Sequence, residues 1–398
     1  MQFVPETEEQ SALRKLAREV ADRELAPRAA HWDETEEFPH DSWRAIAEAG
    51  LFGVTVGEKY GGAGLTDLEG TIVLEELARA DVSSAILCQL IFNGAPRAIE
   101  HLGNETLRQR WLPQAASGEA MFCLGITEPD AGSAVPYMQT RLVEDADGYR
   151  LTGYKNYVTA GHVASACLVW TRFPGSTGAK GIGSVIVDLQ RDGVKVAGIH
   201  KKMGLRGCAE AELAFDDVRV DPEDVLLHGD PDGASFRTLL SHLNHERCGN
   251  GSMCIGAAQG ALEYAIRYMN ERKLGDKPIA ELQGLQWKIA DMSVALEQAR
   301  LLLYRAVSMA GPDGTPPALE SAMAKTACNL AARYVCDEAI QILGGYGYSR
   351  EYPVERMYRD IRGLLIGAGT VEVQRNYIAS KVLRGAAPAS PAWRNPLT

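Results

Sequence analysis

The 398-residue sequence lacks the features of several common protein classes. Its net charge of −11 disfavours nucleic acid or an anionic membrane surface as the main partner. It has no apolar window approaching the roughly 18 residues of a spanning helix. Its acidic start, MQFVPETEEQ, is not a charged-then-apolar signal segment. We expect a cytoplasmic protein that binds neither nucleic acid nor membrane.

Paired cysteines are also absent. The eight cysteines form no CxxC pair and no zinc-ligand spacing, and most lie in apolar stretches. Buried free thiols in a reducing compartment are therefore expected. The spacing predicts no metal site.

Apolar periodicity divides the chain into three regions. Residues 1–120 have helical spacing, and from about 121 short β-branched runs such as ACLVWTRF and GSVIVDL predict strands. Helical patterns then return in four long segments, over 233–270, 279–310, 317–343 and 369–384. The predicted fold class is α+β, with an N-terminal α-helical domain (1–120), a middle β-barrel or sandwich domain (121–231) and a C-terminal four-helix bundle (232–398).

Two glycine-containing motifs contain candidate ligand-binding residues. GITEPDAGS (125–133) lies where helix gives way to strand, and its backbone and hydroxyls suit a phosphate or a flavin edge. QILGGYGYSREYPVERMYRD (341–360) falls across a helix end, a turn and the next helix. A third loop, GAKGIGS (178–184), imitates a dinucleotide loop, but no helix follows it, so we predict a hairpin there.

The two motifs resemble the two signatures of the acyl-CoA dehydrogenase family. The second fits at every defined position, and the first departs at Ala134, where the family usually has Asp. The order of helical, β and helical regions also resembles that family over nearly the whole chain. The resemblance implies FAD, an acyl thioester substrate, a homotetramer and electron transfer to a soluble electron-transfer flavoprotein.

The resemblance also assigns residues to the cofactor. Ile126 and Thr127 would neighbour the flavin ring, Tyr157 would pack on it, and Thr159 would lie near N5. The residues implied at the phosphates, at the adenosine half or at the FAD of a neighbouring subunit are Ser133, Arg272, Gln283, Gln341, Gly345, Thr370 and Glu372.

One cofactor segment departs from the family pattern. After the pyrophosphate arginine the family usually has a threonine, a phenylalanine and a glycine, whereas this chain reads RKLGD (272–276). Leu274 and Gly275 supply neither the hydroxyl nor the aromatic ring expected against the adenine. Either FAD binds more weakly here or its adenine end is held differently.

The usual catalytic base is missing. The family reaction removes an α-proton from the acyl thioester, and the base in most members is the Glu of a Glu-Gly-Thr triplet, which here is Ala368-Gly369-Thr370. Glu246, in NHER, stands where isovaleryl-type and long-chain-type members carry the base, and we favour it. Glu372 and the absence of any base are the alternatives. The N–H of Ala368 would still polarise the thioester carbonyl, with Arg247 and Gly369 at the substrate.

The predicted function is FAD-dependent α,β-dehydrogenation of an acyl thioester. Alternatives are reduction of a 2-enoyl-CoA, dehydrogenation of a thioester on an acyl-carrier protein, a flavin-assisted lyase such as an acyl-CoA desulfinase, and a redox-silent subunit. Loss of the triplet carboxylate also predicts room for a branched or bulky acyl chain. Because adjacent helical residues point about 100° apart, we expect His245 to lie on the surface.

Overall fold

The computed structural model describes residues 6–175 and 177–385, so the ends of the first and third predicted domains, 1–5 and 386–398, lie outside the described residues. The N-terminal part is helical. Its helices are α1 (Glu8–Val20), continued by a π-helical turn (Ala21–Leu25), α2 (Ala29–Thr35), α3 (His40–Glu48), α4 (Asp67–Ala80), α5 (Val82–Phe92), α6 (Ala95–Leu102) and α7 (Glu105–Ser117).

The middle part is one eight-stranded sheet. Its strands are β1 (Phe122–Gly125), β2 (Arg141–Asp145), β3 (Gly148–Thr159), β4 (Ala166–Arg172), β5 (Ile182–Asp188), β6 (Val194–Ile199), β7 (Glu210–Val220) and β8 (Val225–Leu227). The order is β6-β7-β3-β2-β4-β5-β8, and β1 pairs with β4 in parallel. Because β4 and β5 pair antiparallel, the GAKGIGS segment joins a hairpin as predicted.

The C-terminal part is helical again. It consists of α8 (Ala234–Glu271), a short hairpin of β9 (Lys273–Leu274) and β10 (Lys277–Pro278), α9 (Gln283–Ser308), α10 (Ala318–Leu343), α11 (Pro353–Leu364) and α12 (Val371–Leu383). The four predicted helical patterns match α8, α9, α10 and α12 to within a few residues. The predicted α+β order of helical, β and helical parts is confirmed.

The 38-residue helix α8 is the central element. It packs against α10, α4 and α9, and most of its middle section is buried. Gly256 permits the close approach of α4, since a Cβ there would lie 2.2 Å from the Glu75 carbonyl oxygen. Among the described residues all eight cysteines are free and buried, as predicted. No described helix is long and apolar enough to cross a membrane.

Candidate active site

Glu246 lies in α8 and faces α5. Its Oε2 accepts a hydrogen bond of 3.0 Å from Gln89 Nε2, and Gln89 Oε1 in turn accepts one of 2.8 Å from Asn93. Although part of the residue keeps contact with solvent, Oε1 of Glu246 is fully buried without a hydrogen-bond partner. Burial raises the pKa of this carboxyl to about 7, against the single opposing hydrogen bond from Gln89. The arrangement gives a buried carboxylate with one oxygen held and the other free.

A glycine makes room for the side chain that holds Glu246. A Cβ at Gly249 would lie 1.8 Å from Gln89 Oε1 and 2.3 Å from Asn93 Nδ2. Any larger residue at 249 would therefore displace the two amides. Gln89 is the one strongly polar residue within the buried run of α5, and a buried amide requires partners.

Ala368 lies in the turn between α11 and α12. Its φ of 55° and that of Gly369, 83°, are left-handed, which is uncommon for a residue with a side chain. The turn is anchored at the end of α11, where the Leu364 carbonyl accepts bonds from Asn250 Nδ2 (3.0 Å) and Lys325 Nζ (3.3 Å). Asn250 follows Glu246 by one helical turn, so the same stretch of α8 positions both.

The anchor is a buried polar network. Asn329 accepts a hydrogen bond of 2.8 Å from Lys325 and donates one of 2.9 Å to Asn250. Burial lowers the pKa of Lys325 to about 8. Arg247, which is half-buried, donates to Asn244 Oδ1 at 2.5 Å and keeps a buried Nε without a partner.

Glu372 differs from Glu246 in its exposure to solvent and in the direction of its pKa shift. It is exposed in the first turn of α12, where helix N–H groups and the Thr370 hydroxyl lower its pKa. Thr370 caps this helix by accepting a bond of 3.2 Å from the Val373 N–H. A solvated carboxylate held in its ionised form is a weak proton acceptor.

Hydrogen bonds and an ion pair hold the GITEPDAGS loop against β3. Lys155, fully buried, donates to the Ile126 carbonyl at 3.2 Å and pairs with Glu128 at 2.8 Å. The Thr127 carbonyl accepts a bond of 2.8 Å from the Asn156 N–H. Ser133 lies further along and is exposed. The structure thus brings Ile126 and Thr127 beside the end of β3.

Tyr157 and Thr159 occupy that end of β3. Tyr157 has a φ of 54°, is 58% exposed, and stacks on His200 with ring centroids 4.4 Å apart. The Thr159 hydroxyl donates to Glu210, with both carboxylate oxygens at 3.0 Å, and burial raises the pKa of Glu210. An open aromatic face beside a hydroxyl suits a planar cofactor ring such as the flavin of FAD.

The remaining predicted cofactor residues lie on the surface of the single chain. Arg272, Gln283, Gln341 and Gly345 are all exposed. The Arg272 guanidinium lies 5.6 Å from the centroid of the Tyr346 ring, so Arg272 and the GGYG turn share one face. The RKLGD segment forms the β9–β10 hairpin, with Gly275 in its turn at φ 64° and Leu274 67% exposed. A guanidinium, a free glycine backbone and an aromatic ring suit the diphosphate and adenosine of FAD.

The prediction for His245 was wrong. This residue is fully buried, and its Nδ1 lies 2.5 Å from Asp67 Oδ2. A rotation of 100° away from Glu246 leads to solvent only on a surface helix, whereas this part of α8 is covered on several sides. The sequence analysis also missed the amides and the lysine that hold the site, namely Gln89, Asn93, Asn250, Lys325 and Asn329.

Comparison with known proteins identifies the fold. The chain matches the N-terminal, middle and C-terminal domain models of acyl-CoA dehydrogenase over residues 7–119, 123–218 and 234–383. It is 34% identical over 378 residues to the short-chain specific acyl-CoA dehydrogenase of Clostridium acetobutylicum, covering 95% of this chain and 99% of that one. It is 35% identical over 380 residues to the acryloyl-CoA reductase (NADH) of Anaerotignum propionicum, covering 95% of each.

Solved structures of acyl-CoA dehydrogenases have the same fold as this chain. Butyryl-CoA dehydrogenase from Megasphaera elsdenii superposes with a TM-score of 0.91 at 32% identity, covering 96% of this chain and 100% of that one. A similar glutaryl-CoA dehydrogenase structure from Mycobacterium smegmatis contains FADH2, at a TM-score of 0.87, 28% identity and 97% coverage of each chain. The chain therefore belongs to the acyl-CoA dehydrogenase family and is an FAD-dependent oxidoreductase of acyl-CoA thioesters.

Proposed function

We propose that Glu246 is the base that removes the α-proton of an acyl-CoA in this enzyme. One observation carries the proposal: a buried carboxylate with a free oxygen, Oε1, and a pKa raised to about 7. Such a group is half ionised near neutral pH and becomes a stronger base as water is excluded. Glu372, exposed and with a lowered pKa, does not have these properties. FAD, when bound, supplies the acceptor for the β-hydride.

Ala368 and Arg247 complete the substrate site. The Ala368 N–H donates to the thioester carbonyl oxygen, where negative charge develops as the α-proton leaves, and Gly369 borders the same atom. The bonds from Asn250 and Lys325 to Leu364 fix the start of this turn, so the donor is held before substrate arrives. Arg247, whose buried Nε–H has no partner, is the second donor that we propose for the substrate. The methyl group of Ala368 leaves room for a branched or bulky acyl chain.

The cofactor site is formed from two surfaces. Ile126, Thr127, Ser133, Tyr157 and Thr159 hold the flavin and its nearby phosphates. A second set reaches the adenosine half or the FAD of a neighbouring subunit, and it comprises Arg272, Gln283, Gln341, Gly345, Thr370 and Glu372. The second set is supported by the exposure of all its members except the half-buried Thr370, and by the common face of Arg272 and Tyr346. We expect a cytoplasmic homotetramer that passes electrons to an electron-transfer flavoprotein.

Anaerobic flavin bleaching tests the proposal. The wild type and Glu246→Gln are mixed with a panel of linear and branched acyl-CoA thioesters, and flavin absorbance is followed. We expect some thioesters to bleach the wild type and none to bleach the variant at a comparable rate. Equal bleaching of both would refute Glu246 as the base and favour Glu372. Bleaching by short linear thioesters alone would refute the enlarged acyl site.

A reductive direction is the second candidate, because one relative is named an acryloyl-CoA reductase. In that direction Glu246, in its protonated form, donates the α-proton. Reoxidation of chemically reduced flavin by a 2-enoyl-CoA, compared with electron-transfer flavoprotein as acceptor, distinguishes the two directions. A wild type that neither bleaches nor reoxidises would favour an acyl-carrier-protein substrate or lyase chemistry, and a colourless protein would favour the redox-silent subunit.

A further inference from the structure

Three histidines converge beside the segment of α8 that carries Glu246. His101 lies at the end of α6, and His242 and His245 lie one turn apart in α8. One ligand nitrogen from each lies within 4.8 Å of the others. Their ring centroids are 5.0 Å apart for His242 and His245, 5.5 Å for His101 and His245, and 6.1 Å for His101 and His242. Neither the proposed reaction nor the cofactor site uses this cluster.

Two of the three rings present a free nitrogen. The Nδ1 of His245 lies 2.5 Å from Asp67 Oδ2, and the ring of His242 bonds to the Gly94 backbone. The Nε2 atoms of both residues are buried and have no hydrogen-bond partner. In the neutral tautomer that carries its proton on Nδ1, each of these two rings would offer an Nε2 lone pair to a ligand. Two buried ring nitrogens without a protein partner therefore lie in one cluster, where a ligand could satisfy both.

The spacing fits a divalent metal ion. Zinc bound tetrahedrally to imidazole nitrogens at about 2.0–2.1 Å would separate those nitrogens by about 3.4 Å and the ring centroids by about 5.3 Å. The observed centroid distances, 5.0, 5.5 and 6.1 Å, bracket that value. The three rings therefore lie about as far apart as three imidazoles that share one ion.

The charged groups around the cluster are of both signs. Asp67 orients His245 as carboxylates orient metal-bound histidines. Arg97 opposes a cation, but its guanidinium is paired with Asp67 Oδ1 at 2.6 Å, and Asp313 adds negative charge beside His101.

We propose that His101, His242 and His245 bind a divalent transition metal ion, with zinc as the expected occupant. Neutral imidazoles suit Zn²⁺ and Co²⁺ and do not suit Mg²⁺ or Ca²⁺. The fourth position falls to water, on the side where His101 is half-buried. The ion would join α6 to α8 next to the catalytic glutamate and so fix the helix segment that positions it.

Metal content and a cobalt spectrum test the site. Flavin-loaded wild type is exposed to Zn²⁺, desalted and measured by mass spectrometry for metal per chain, and chelated protein is titrated with Co²⁺. We expect one zinc per chain and the intense visible absorption of tetrahedral Co²⁺. Less than a tenth of an equivalent of zinc together with no such absorption would overturn the proposal.

Matched variants locate the ion. His101→Ala, on the open side of the cluster, should lower zinc affinity at least 100-fold, and Asp67→Asn should lower it about 10–100-fold as the loss of an orienting carboxylate does. His31→Ala, an exposed histidine outside the cluster, is the control and should bind zinc as the wild type does. Unchanged affinity in His101→Ala would refute the site. Thermal melts of the chelated proteins check that the variants fold, and none of these measurements depends on the proposed dehydrogenation.

Discussion

Replacing Gln89 with leucine isolates the effect of the amide on Glu246, the proposed base. The substitution nearly preserves volume in the buried helix α5 and removes the 3.0 Å hydrogen bond to Glu246 Oε2. A hydrogen bond to a charged group contributes about 1.5–3 kcal/mol, which corresponds to about 1–2 pKa units. Because the bond favours the ionised form, its loss raises the pKa of Glu246 further above its present value of about 7.

The assay is the pH dependence of kcat/KM for acyl-CoA oxidation between about pH 6 and pH 10, in chelator so that no metal charge contributes. The acid limb of the kcat/KM profile should shift to higher pH by about 1–2 units. Activity at pH 7 should fall about 5- to 50-fold and should recover at high pH. Gln259→Leu is the control, since Gln259 lies on α8 about 20 Å from Glu246 and bonds to Glu263 and Arg300. A loss that is equal at every pH, or a limb that stays in place, would refute the reasoning.

Three further predictions follow from the same site. Glu246→Gln should raise the free energy of unfolding by about 3 kcal/mol at pH 8 and by less than about 1 kcal/mol at pH 5. The pKa of Glu246 is raised from 4.5 to about 7 in the folded protein, so ionising this carboxyl destabilises the fold, with the full cost reached above about pH 7. Urea titrations at the two pH values measure this, and an equal gain at both would contradict it. Gly249→Ala should lower kcat/KM at pH 7 as Gln89→Leu does, although alanine favours the helix by about 1 kcal/mol. Gly251→Ala, whose Cβ would approach nothing closer than 3.3 Å, is its control, and equal activity of the two would contradict the displacement of Gln89. Ala368→Glu in the Glu246→Gln background should restore part of the single-turnover rate of flavin reduction, and a double variant no faster than Glu246→Gln would show that position 368 does not reach the α-carbon.

The order of the fold could be predicted from the sequence because it depends on local periodicity. The change from helical spacing to β-branched runs near residue 121, and its return near 233, marks the three parts of the chain. The short hairpin at RKLGD was not predicted, because two-residue strands carry no periodic signal. The motif at 341–360 correctly placed a helix beyond the glycine turn, where α11 begins at Pro353.

The contacts around Glu246 could not be predicted in the same way. Gln89 and Glu246 are 157 residues apart, and only the packing of α5 on α8 brings them together. The one signal was a strongly polar residue in an apolar run, SAILCQLIF, which marks a buried amide without naming its partner. His245 was misjudged because its burial depends on elements that are distant in sequence, among them α4 with Asp67.

The backbone at Ala368 limits how this enzyme can diversify. If Glu246 on α8 is the base and the carbonyl donor is a main-chain N–H, as proposed, the side chain at 368 takes no part in the chemistry and affects only the shape of the acyl site. Its left-handed φ of 55° nevertheless restricts the choice. Glycine, serine and asparagine tolerate such a backbone, whereas β-branched valine, isoleucine and threonine do not. Under the proposed assignment, the substrate range of this enzyme can therefore vary at residue 368 without loss of the base, but only through small or unbranched side chains.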